Sequence, residues 1–134
     1  MKIFESKYLK LYFFEECRIM EWVFTQESVL MKESDFKHDI RTVHNLAREV
    51  DPVSHLIDFS QFGYILNDDE KGWLSSQFSA CVRKGDILSI ASTVSTFLYA
   101  QIAIEDFFER FLSVPCEYFE AKEAAREWLM KDAD

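Results

Sequence analysis

The order of apolar segments along this chain predicts an α/β fold. Two short strand patterns come first, and strand patterns then alternate strictly with helix patterns, in the order β-β-α-β-α-β-α-β-α. This alternation implies right-handed crossovers and a mostly parallel or mixed five-stranded sheet with helices packed on it. The chain has 134 residues, of which 49% are hydrophobic and thirteen are Phe, and no linker or repeat divides it. We therefore expect a single domain over residues 1–134.

The first two strands form a predicted hairpin. Apolar residues alternate with polar ones in Tyr8–Phe14, and Arg18–Thr25 also reads as a strand with two distinct faces. The break between them, Glu15–Cys17, is short enough for an antiparallel connection.

A helix and a third strand follow the hairpin. Ser34 is the predicted cap of a helix from Asp35 to about Glu49, whose apolar residues recur at steps of three and four. Those residues are Phe36, Ile40, Val43, Ala47 and Val50. The helix should end at Asp51-Pro52, because proline disfavours a helical conformation in the residue before it. Val53–Phe59 is then the third strand.

The second helix and the fourth strand come next. The helix runs from about Asp68 to Lys84, and its buried stripe includes Leu74 and Phe78. Gly85 suits a left-handed cap at its C-terminal end. Asp86–Ser92 is nearly all apolar, as expected for a strand that is covered on both faces.

The last three elements include the longest helix. It is predicted from Ser95 to about Leu112 and is followed by a fifth strand at Pro115–Phe119. A final helix over Glu120–Lys131 completes the order of elements.

The longest helix carries more apolar residues than one buried stripe needs. Leu98, Tyr99, Ile102 and Phe108 fall outside the stripe that would pack on the sheet. They form either an exposed surface for a partner or a dimer, or a face that a neighbouring helix covers.

The charge of the chain argues against two classes of partner. The formal net charge is −9, with 24 acidic against 15 basic residues. Proteins that bind nucleic acids or anionic membranes carry rows of Lys and Arg side chains on one surface. We find no such row in the sequence, so we expect neither partner. No secretory signal or membrane-spanning apolar run is recognisable. Three cysteines without a close pair suit a reducing cytoplasm.

No motif for catalysis, a metal or a cofactor is recognisable. His55, Asp58 and Ser60 are close in sequence, but His55 and Ser60 would be roughly 16 Å apart along an extended strand. No nucleophile elbow surrounds the serine. His38 and His44 are predicted on one helix, pointing to different sides and into solvent. We therefore expect no enzyme activity, no cofactor and no metal.

Two segments carry a resemblance to a known family. Residues 56–60, Leu-Ile-Asp-Phe-Ser, resemble the Asp-Leu-Ser that ends the third strand of STAS domains, the fold of bacterial anti-sigma factor antagonists. Val94–Phe111 is similar to the helix after the fourth strand in small stand-alone bacterial STAS-like proteins. The resemblance implies a STAS-like fold and a regulatory, protein-binding function.

One motif of that family is missing. Phospho-regulated antagonists open their second helix with Asp-Ser-Ser-Gly and are phosphorylated on a serine there, whereas this chain has Leu66–Glu70, without Ser or Thr. The resemblance therefore does not extend to the phosphorylation switch. Asp68 or Asp69 could imitate a phosphate, although a carboxylate carries about one negative charge and a phosphate up to two.

The turn between the third strand and the second helix has a structural and a functional interpretation. Asn67 can form a reciprocal capping box with Glu70. The negative charges of Asp68 and Asp69 interact favourably with the positive, N-terminal end of the helix dipole. Asp58 either ends a central strand where α/β sheets place ligands, or accepts hydrogen bonds from the amides of Ser60 and Gln61 as an Asx-turn. The candidate partner-binding residues are Asp58, Ser60, Asn67, Asp68, Asp69, Leu98, Tyr99 and Ile102.

Two functions fit these observations. The first is a non-enzymatic interaction module that presents residues 58–69 and the apolar side of the longest helix to a protein partner, with a homodimer as one form. The alternative is a carrier of a small apolar ligand or lipid, in a Phe-lined cavity between sheet and helices. A module should have a close-packed core and an exposed apolar patch, and a carrier should have a cavity of a few hundred cubic ångströms.

Overall fold

The computed structural model describes residues 1–81, 89–112 and 116–132, in which six strands form one sheet. The strands are β1 Lys2–Glu5, β2 Leu9–Phe14, β3 Ile19–Phe24, β4 Ser54–Asp58, β5 Ser89–Thr93 and β6 Cys116–Phe119. The helices are α1 Glu33–Val50, α2 Asp68–Cys81, α3 Leu98–Asp106 and α4 Lys122–Asp132. A 3₁₀ segment spans Gln26–Leu30, and α3 continues into a π-helical segment, Phe107–Leu112. The α/β fold class is confirmed.

The strands lie in the sheet in the same order as in the chain. The pairs β1–β2 and β2–β3 are antiparallel, and the pairs from β3 to β6 are parallel. The sheet is therefore mixed, and it contains both the predicted hairpin and the predicted parallel strands.

The prediction of five strands is wrong, because a further strand, β1, precedes the hairpin. It pairs with β2, and Glu5 lies opposite Lys10. The register shifts between Lys2 and Phe4, and Ile3 and Phe4 are both half-buried. Such an irregularity removes the alternation of buried and exposed residues by which a strand is recognised in a sequence.

Helices cover both faces of the sheet. α1, α2 and α3 pack on one face, in a core that includes Trp22, Ile57 and Ile90 from the strands. α4 packs on the other face, where Leu129 clusters with Leu56. Right-handed crossovers between neighbouring parallel strands place their helices on the same face of a sheet. α4 follows β6, and no strand of the described residues comes after it, so no crossover between described strands fixes the face that it covers.

The start of α1 differs from the prediction by two residues. The helix begins at Glu33, and Ser34 lies inside it and does not cap it. The Lys32 amide donates a 3.0 Å hydrogen bond to the Asp35 carboxylate, which satisfies a backbone group at this helix end. A carboxylate within the first turn thus serves the role that we assigned to a serine before it.

Some predicted features lie outside the described residues. They are the end of the second helix at Lys84 with its Gly85 cap, the first residues of the fourth strand from Asp86, and Pro115. Within the described part of α2, Leu74 and Phe78 are buried as predicted.

Candidate functional site

Asp58 stands at the carboxyl end of β4, and its side chain closes the turn that follows. Its Oδ1 atom accepts hydrogen bonds from the Ser60 amide at 3.0 Å and from Ser60 Oγ at 2.6 Å. The same atom accepts a 2.9 Å hydrogen bond from Thr93 Oγ1, on the neighbouring strand β5. Thr93 Oγ1 in turn accepts the Phe59 amide at 3.0 Å. The predicted Asx-turn bond to Ser60 is present, and the carboxylate also joins two strand ends.

The two loops that leave β4 and β5 are held together beyond this carboxylate. The Ser60 carbonyl accepts hydrogen bonds from the amide and the hydroxyl of Thr96, at 3.2 and 3.1 Å. Ser95 Oγ donates a 2.8 Å hydrogen bond to the Phe62 carbonyl. A ligand that bound Asp58 or Ser60 directly would have to replace these internal hydrogen bonds, so the geometry favours the structural interpretation of this turn.

Asn67 and Glu70 form the predicted reciprocal cap at the start of α2. Asn67 Oδ1 accepts the Glu70 amide at 2.8 Å, and Glu70 Oε1 accepts the Asn67 amide at 3.0 Å. The Tyr64 hydroxyl donates to the other Glu70 oxygen, and Glu70 is only 2% exposed. Burial, followed by the hydrogen bond to Glu70, raises the pKa of Tyr64. The buried carboxylate is therefore part of the helix cap.

Asp68 belongs to a charge cluster that joins α2 to the C-terminal end of α3. Asp68 Oδ1 lies 3.5 Å from Lys71 Nζ and 3.4 Å from an Arg110 nitrogen. Lys71 Nζ also lies 2.7 Å from Asp106, which Arg110 contacts at 2.9 Å. Hydrogen bonds from Arg110 and Lys71 hold the pKa of Asp106 well below its usual range. Asp68 is thus shared by two cations, while Asp69 is exposed and pairs with no described residue.

The start of α3, which we predicted to be the longest helix, leaves apolar side chains in solvent, and α1 is the longer of the two. α3 begins at Leu98 and not at Ser95, because Ser95 Oγ accepts the Phe97 amide at 3.0 Å within a loop. Leu98 is 69% exposed, Tyr99 71% and Ile102 54%. No described residue covers them. Of the two alternatives, an exposed surface or a face covered by a neighbouring helix, the structure shows exposure at these three positions. We call Leu98, Tyr99 and Ile102 the α3 face.

Phe108, which we grouped with those three residues, has the opposite environment. It is 3% exposed and packs in the core with Phe107, 5.1 Å between ring centroids. It lies in the π-helical segment and follows the buried Ile104 by four residues, so a regular helical repeat also places it on the buried side.

Further exposed apolar residues follow the carboxyl ends of the parallel strands. They are Val29 and Leu30 after β3, Ile65 after β4, and Val94 and Phe97 after β5. Two of these segments touch, because a Cβ atom on Gly63 would lie only 3.0 Å from Val29 Cβ. A side chain at position 63 would therefore require Val29 to shift by a few tenths of an ångström. The α3 face lies on the segment that follows β5. It is therefore at the same end of the sheet, where the parallel strands have their carboxyl ends.

The residues that suggested catalysis are separated by the sheet. His55 faces the layer formed by α1, α2 and α3, which we call the three-helix layer. There its Nδ1 atom accepts a 3.0 Å hydrogen bond from Trp22 Nε1. Asp58, three residues along the strand, faces the opposite side. Burial lowers the pKa of His55 to about 4. His55 is thus a neutral core residue at pH 7. Its side chain lies on the face of the sheet opposite to Asp58, the partner of Ser60.

The other histidines differ in environment. His38 is exposed on α1, as expected. His44 is half-buried, and its Nδ1 atom lies 3.0 Å from the Gln77 carbonyl of α2, so the prediction of a solvated side chain is wrong for it. Over residues 1–81, 89–112 and 116–132, no group of three His, Cys, Asp or Glu side chains could hold a metal ion. Within the same ranges, no helix combines the length and the apolar character of a membrane span.

The aromatic core contains little empty space. Two cavities of ≈ 20 Å³ each lie among apolar side chains between the sheet and α1–α3. That volume is about the size needed for one water molecule. A larger cleft, of ≈ 580 Å³, lies outside this core, between the hairpin turn, the N-terminal residues and α4. Its lining includes Met1, Phe14, Cys17, Arg126 and Met130.

Comparison of the chain with protein-family models, with curated proteins and with solved structures gave no match. The resemblance to STAS domains therefore stays a prediction, supported by the residues that carry it and by nothing from these comparisons. The site has to be interpreted from its own geometry.

Proposed function

We propose that the chain is a non-enzymatic protein-interaction and regulatory module with a STAS-like fold, acting in the cytoplasm. The observation that carries this proposal is the exposure of the α3 face. The mixed α/β sheet with its strands in chain order is compatible with the proposed family. The partner is a protein, and a second copy of the chain is one candidate.

The α3 face is suited to binding because it stands on a rigid support. The opposite side of the same helix carries Ala103 and Ile104, which are buried in the core. This packing already orders the helix backbone, so a partner that covers the α3 face does not have to order it. Full burial of an exposed Leu, Ile or aromatic side chain contributes about 1.5–3 kcal/mol. Three neighbouring side chains of this kind are enough for the centre of an interface.

The proposed module differs from phospho-regulated antagonists at the start of α2. Leu66–Glu70 contains no hydroxyl group, and Asp68 and Asp69 supply a constant negative charge. Lys71 and Arg110 already share the Asp68 carboxylate, which leaves Asp69 as the better candidate for contact with a partner. Binding that does not depend on phosphorylation follows from this proposal.

Native mass spectrometry on freshly purified protein, with a denatured control, tests the proposal. A complex of two chains supports a homodimeric module if Tyr99→Glu with Ile102→Glu abolishes it and leaves the circular dichroism spectrum unchanged. Val53→Glu is the matched control, because Val53 is 48% exposed just before β4, at the amino end of the parallel strands and away from the α3 face. A single bare chain would direct the search to other protein partners.

The carrier function is a second candidate, and the ≈ 580 Å³ cleft is the observation that favours it. This volume lies within the usual range for small-molecule sites. The cleft combines apolar side chains such as Phe13 and Ile19 with the carboxylates of Glu15 and Glu16. A chain that carries an additional small mass, lost on denaturation, would support the carrier and contradict the interaction module as the primary function.

A further inference from the structure

The helices α2 and α3 lie side by side and run in the same direction. Lys71 Nζ of α2 lies 2.7 Å from Asp106 Oδ2 of α3. Further along α2, Ser75 Oγ donates a 2.8 Å hydrogen bond to the carbonyl of Phe111, in the π-helical segment that continues α3. Ser75 follows Lys71 and Phe111 follows Asp106, so the two contacts advance together along both helices.

α3 extends further than α2 in the N-terminal direction. α2 begins at Asp68, three residues before Lys71. α3 begins at Leu98, eight residues before Asp106, which is the partner of Lys71. At a rise of about 1.5 Å per residue, α2 reaches about 4.5 Å beyond this contact and α3 about 12 Å beyond it. α2 therefore does not flank the first residues of α3, 98–102.

This difference in length explains the exposure of Tyr99 and Ile102. Residues four and seven apart lie on the same side of an α-helix, and Ile102 and Tyr99 precede Asp106 by four and seven residues. The Asp106 side chain faces α2, so the two earlier side chains face the space in line with α2. Both are more than half exposed, because α2 begins too late to cover them. We call the angle between residues 98–102 and the start of α2 the α2–α3 step.

The loop before α2 adds an apolar residue to this step. Ile65 is 57% exposed and precedes Asp68 by three residues, so it lies within about 10 Å of the start of α2. The loop is held in place, since the Phe62 carbonyl accepts a 2.8 Å hydrogen bond from Ser95 Oγ in the segment before α3. Loop and helix therefore present Ile65, Tyr99 and Ile102 from a preformed support.

The segments that form the step carry acids and no base. Residues 59–69 and 94–105 contain Asp68, Asp69 and Glu105 and no Lys, Arg or His. The nearest described cations on α2 and α3, Lys71 and Arg110, each contact Asp106 as well as Asp68. The formal net charge of −9 also opposes the approach of a second copy. The charges therefore favour a basic segment of a different protein.

We infer that the α2–α3 step binds a basic, amphipathic helix of a partner protein, which packs beside residues 98–102 in line with α2. Its apolar residues, spaced by three and four, lie against Tyr99, Ile102 and Ile65. Its Lys and Arg side chains reach the carboxylates of Asp68 and Asp69. A helix suits the position because the same side of α3 packs against the helix α2 further along. The inference rests on the proposed interaction function and specifies the partner's secondary structure and charge.

Selection from a displayed library of random peptides of about 18 residues, or five helical turns, tests this inference with the purified chain as target. We expect enriched peptides in which apolar residues recur at steps of three and four and Lys or Arg occupies other positions. An enriched peptide is then synthesised with Pro or with Ala at a central polar position. Proline breaks a helix and alanine favours one, so by fluorescence anisotropy only the Pro peptide should lose at least about tenfold in affinity.

Charge variants locate the bound peptide. Asp68→Asn with Asp69→Asn should weaken binding about tenfold, and more at low salt than at high salt. Glu49→Lys, at an exposed position on α1, changes the net charge by the same amount and should leave the affinity unchanged. Replacing the Lys and Arg residues of the peptide by Gln should weaken its binding to the wild type much more than its binding to the double Asn variant. Circular dichroism checks that each variant is folded.

The outcomes separate the binding mode from the proposed function. No enriched peptide, acidic peptides, tolerance of the central proline, or equal affinity for the wild type and the double Asn variant would overturn the basic helix. If peptides that failed these tests lost binding to Tyr99→Glu with Ile102→Glu, the interaction module would stand without it. Peptides insensitive to all of these changes would contradict both.

Discussion

Burial of His55 makes the stability of the fold depend on pH in a calculable way. The side chain is 4% exposed, and its Nδ1 atom accepts the Trp22 indole N–H. His55→Gln is an informative substitution, because glutamine keeps an acceptor of similar size for Trp22 and does not titrate.

The sign and size of the effect follow from the pKa of His55 in the two states. Burial lowers it to about 4 in the folded chain, against 6.5 when unfolded. Between these values the unfolded chain binds more protons, so stability is complete above about pH 6.5 and is lost as the pH falls towards 4. From about pH 7.5 to about pH 5, His55 should lower the free energy of unfolding by about 2 kcal/mol.

Urea unfolding followed by circular dichroism measures this difference. Asp39 is buried, and its raised pKa makes a contribution of opposite sign on acidification, so wild type and variant must be compared at each pH. We expect the difference in the free energy of unfolding between wild type and His55→Gln to change by about 2 kcal/mol over this range. An equal pH dependence in wild type and His55→Gln would refute the burial of a neutral His55.

Three further substitutions test the turn between β4 and α2. Asn67→Ala removes the side-chain half of the cap and should lower the free energy of unfolding by about 1 kcal/mol in urea titrations; no change would mean that the cap does not form. Asp58→Ala removes the acceptor of three hydrogen bonds and should cost about 2–3 kcal/mol in the same assay, and a loss below about 0.5 kcal/mol would contradict its role in joining β4 to β5. Ser60→Ala should leave the affinity for any protein partner unchanged, and a loss of tenfold or more would show that the hydroxyl contacts the partner.

Features that depend on residues close together in the sequence could be predicted from sequence patterns. The cap formed by Asn67 and Glu70 involves residues three apart, and the Asx-turn at Asp58 involves residues two apart, so both could be predicted from the sequence. The same holds for the alternation of strands and helices, which depends on periods of two and 3.6 residues. These features fix the fold class and the position of the β4–α2 turn.

Interactions between distant residues could not be predicted in this way. Lys71 meets Asp106 only after α3 has returned along the three-helix layer, and Thr93 meets Asp58 only because β4 and β5 are neighbours in parallel register. The start of α3 at Leu98 depends on hydrogen bonds of Ser95 with the loop after β4. The exposure of the α3 face is of the same kind, since it follows from the absence of a described element beyond α3.

Affinity capture with three immobilised baits tests the central claim most directly, namely that the α3 face recognises a protein. The baits are the wild-type chain, Tyr99→Glu with Ile102→Glu, and Val53→Glu, and the retained proteins are quantified by mass spectrometry. We predict that at least one protein is retained by the wild type and by Val53→Glu and is lost with the double variant. Retention of the same proteins by all three baits would contradict the claim.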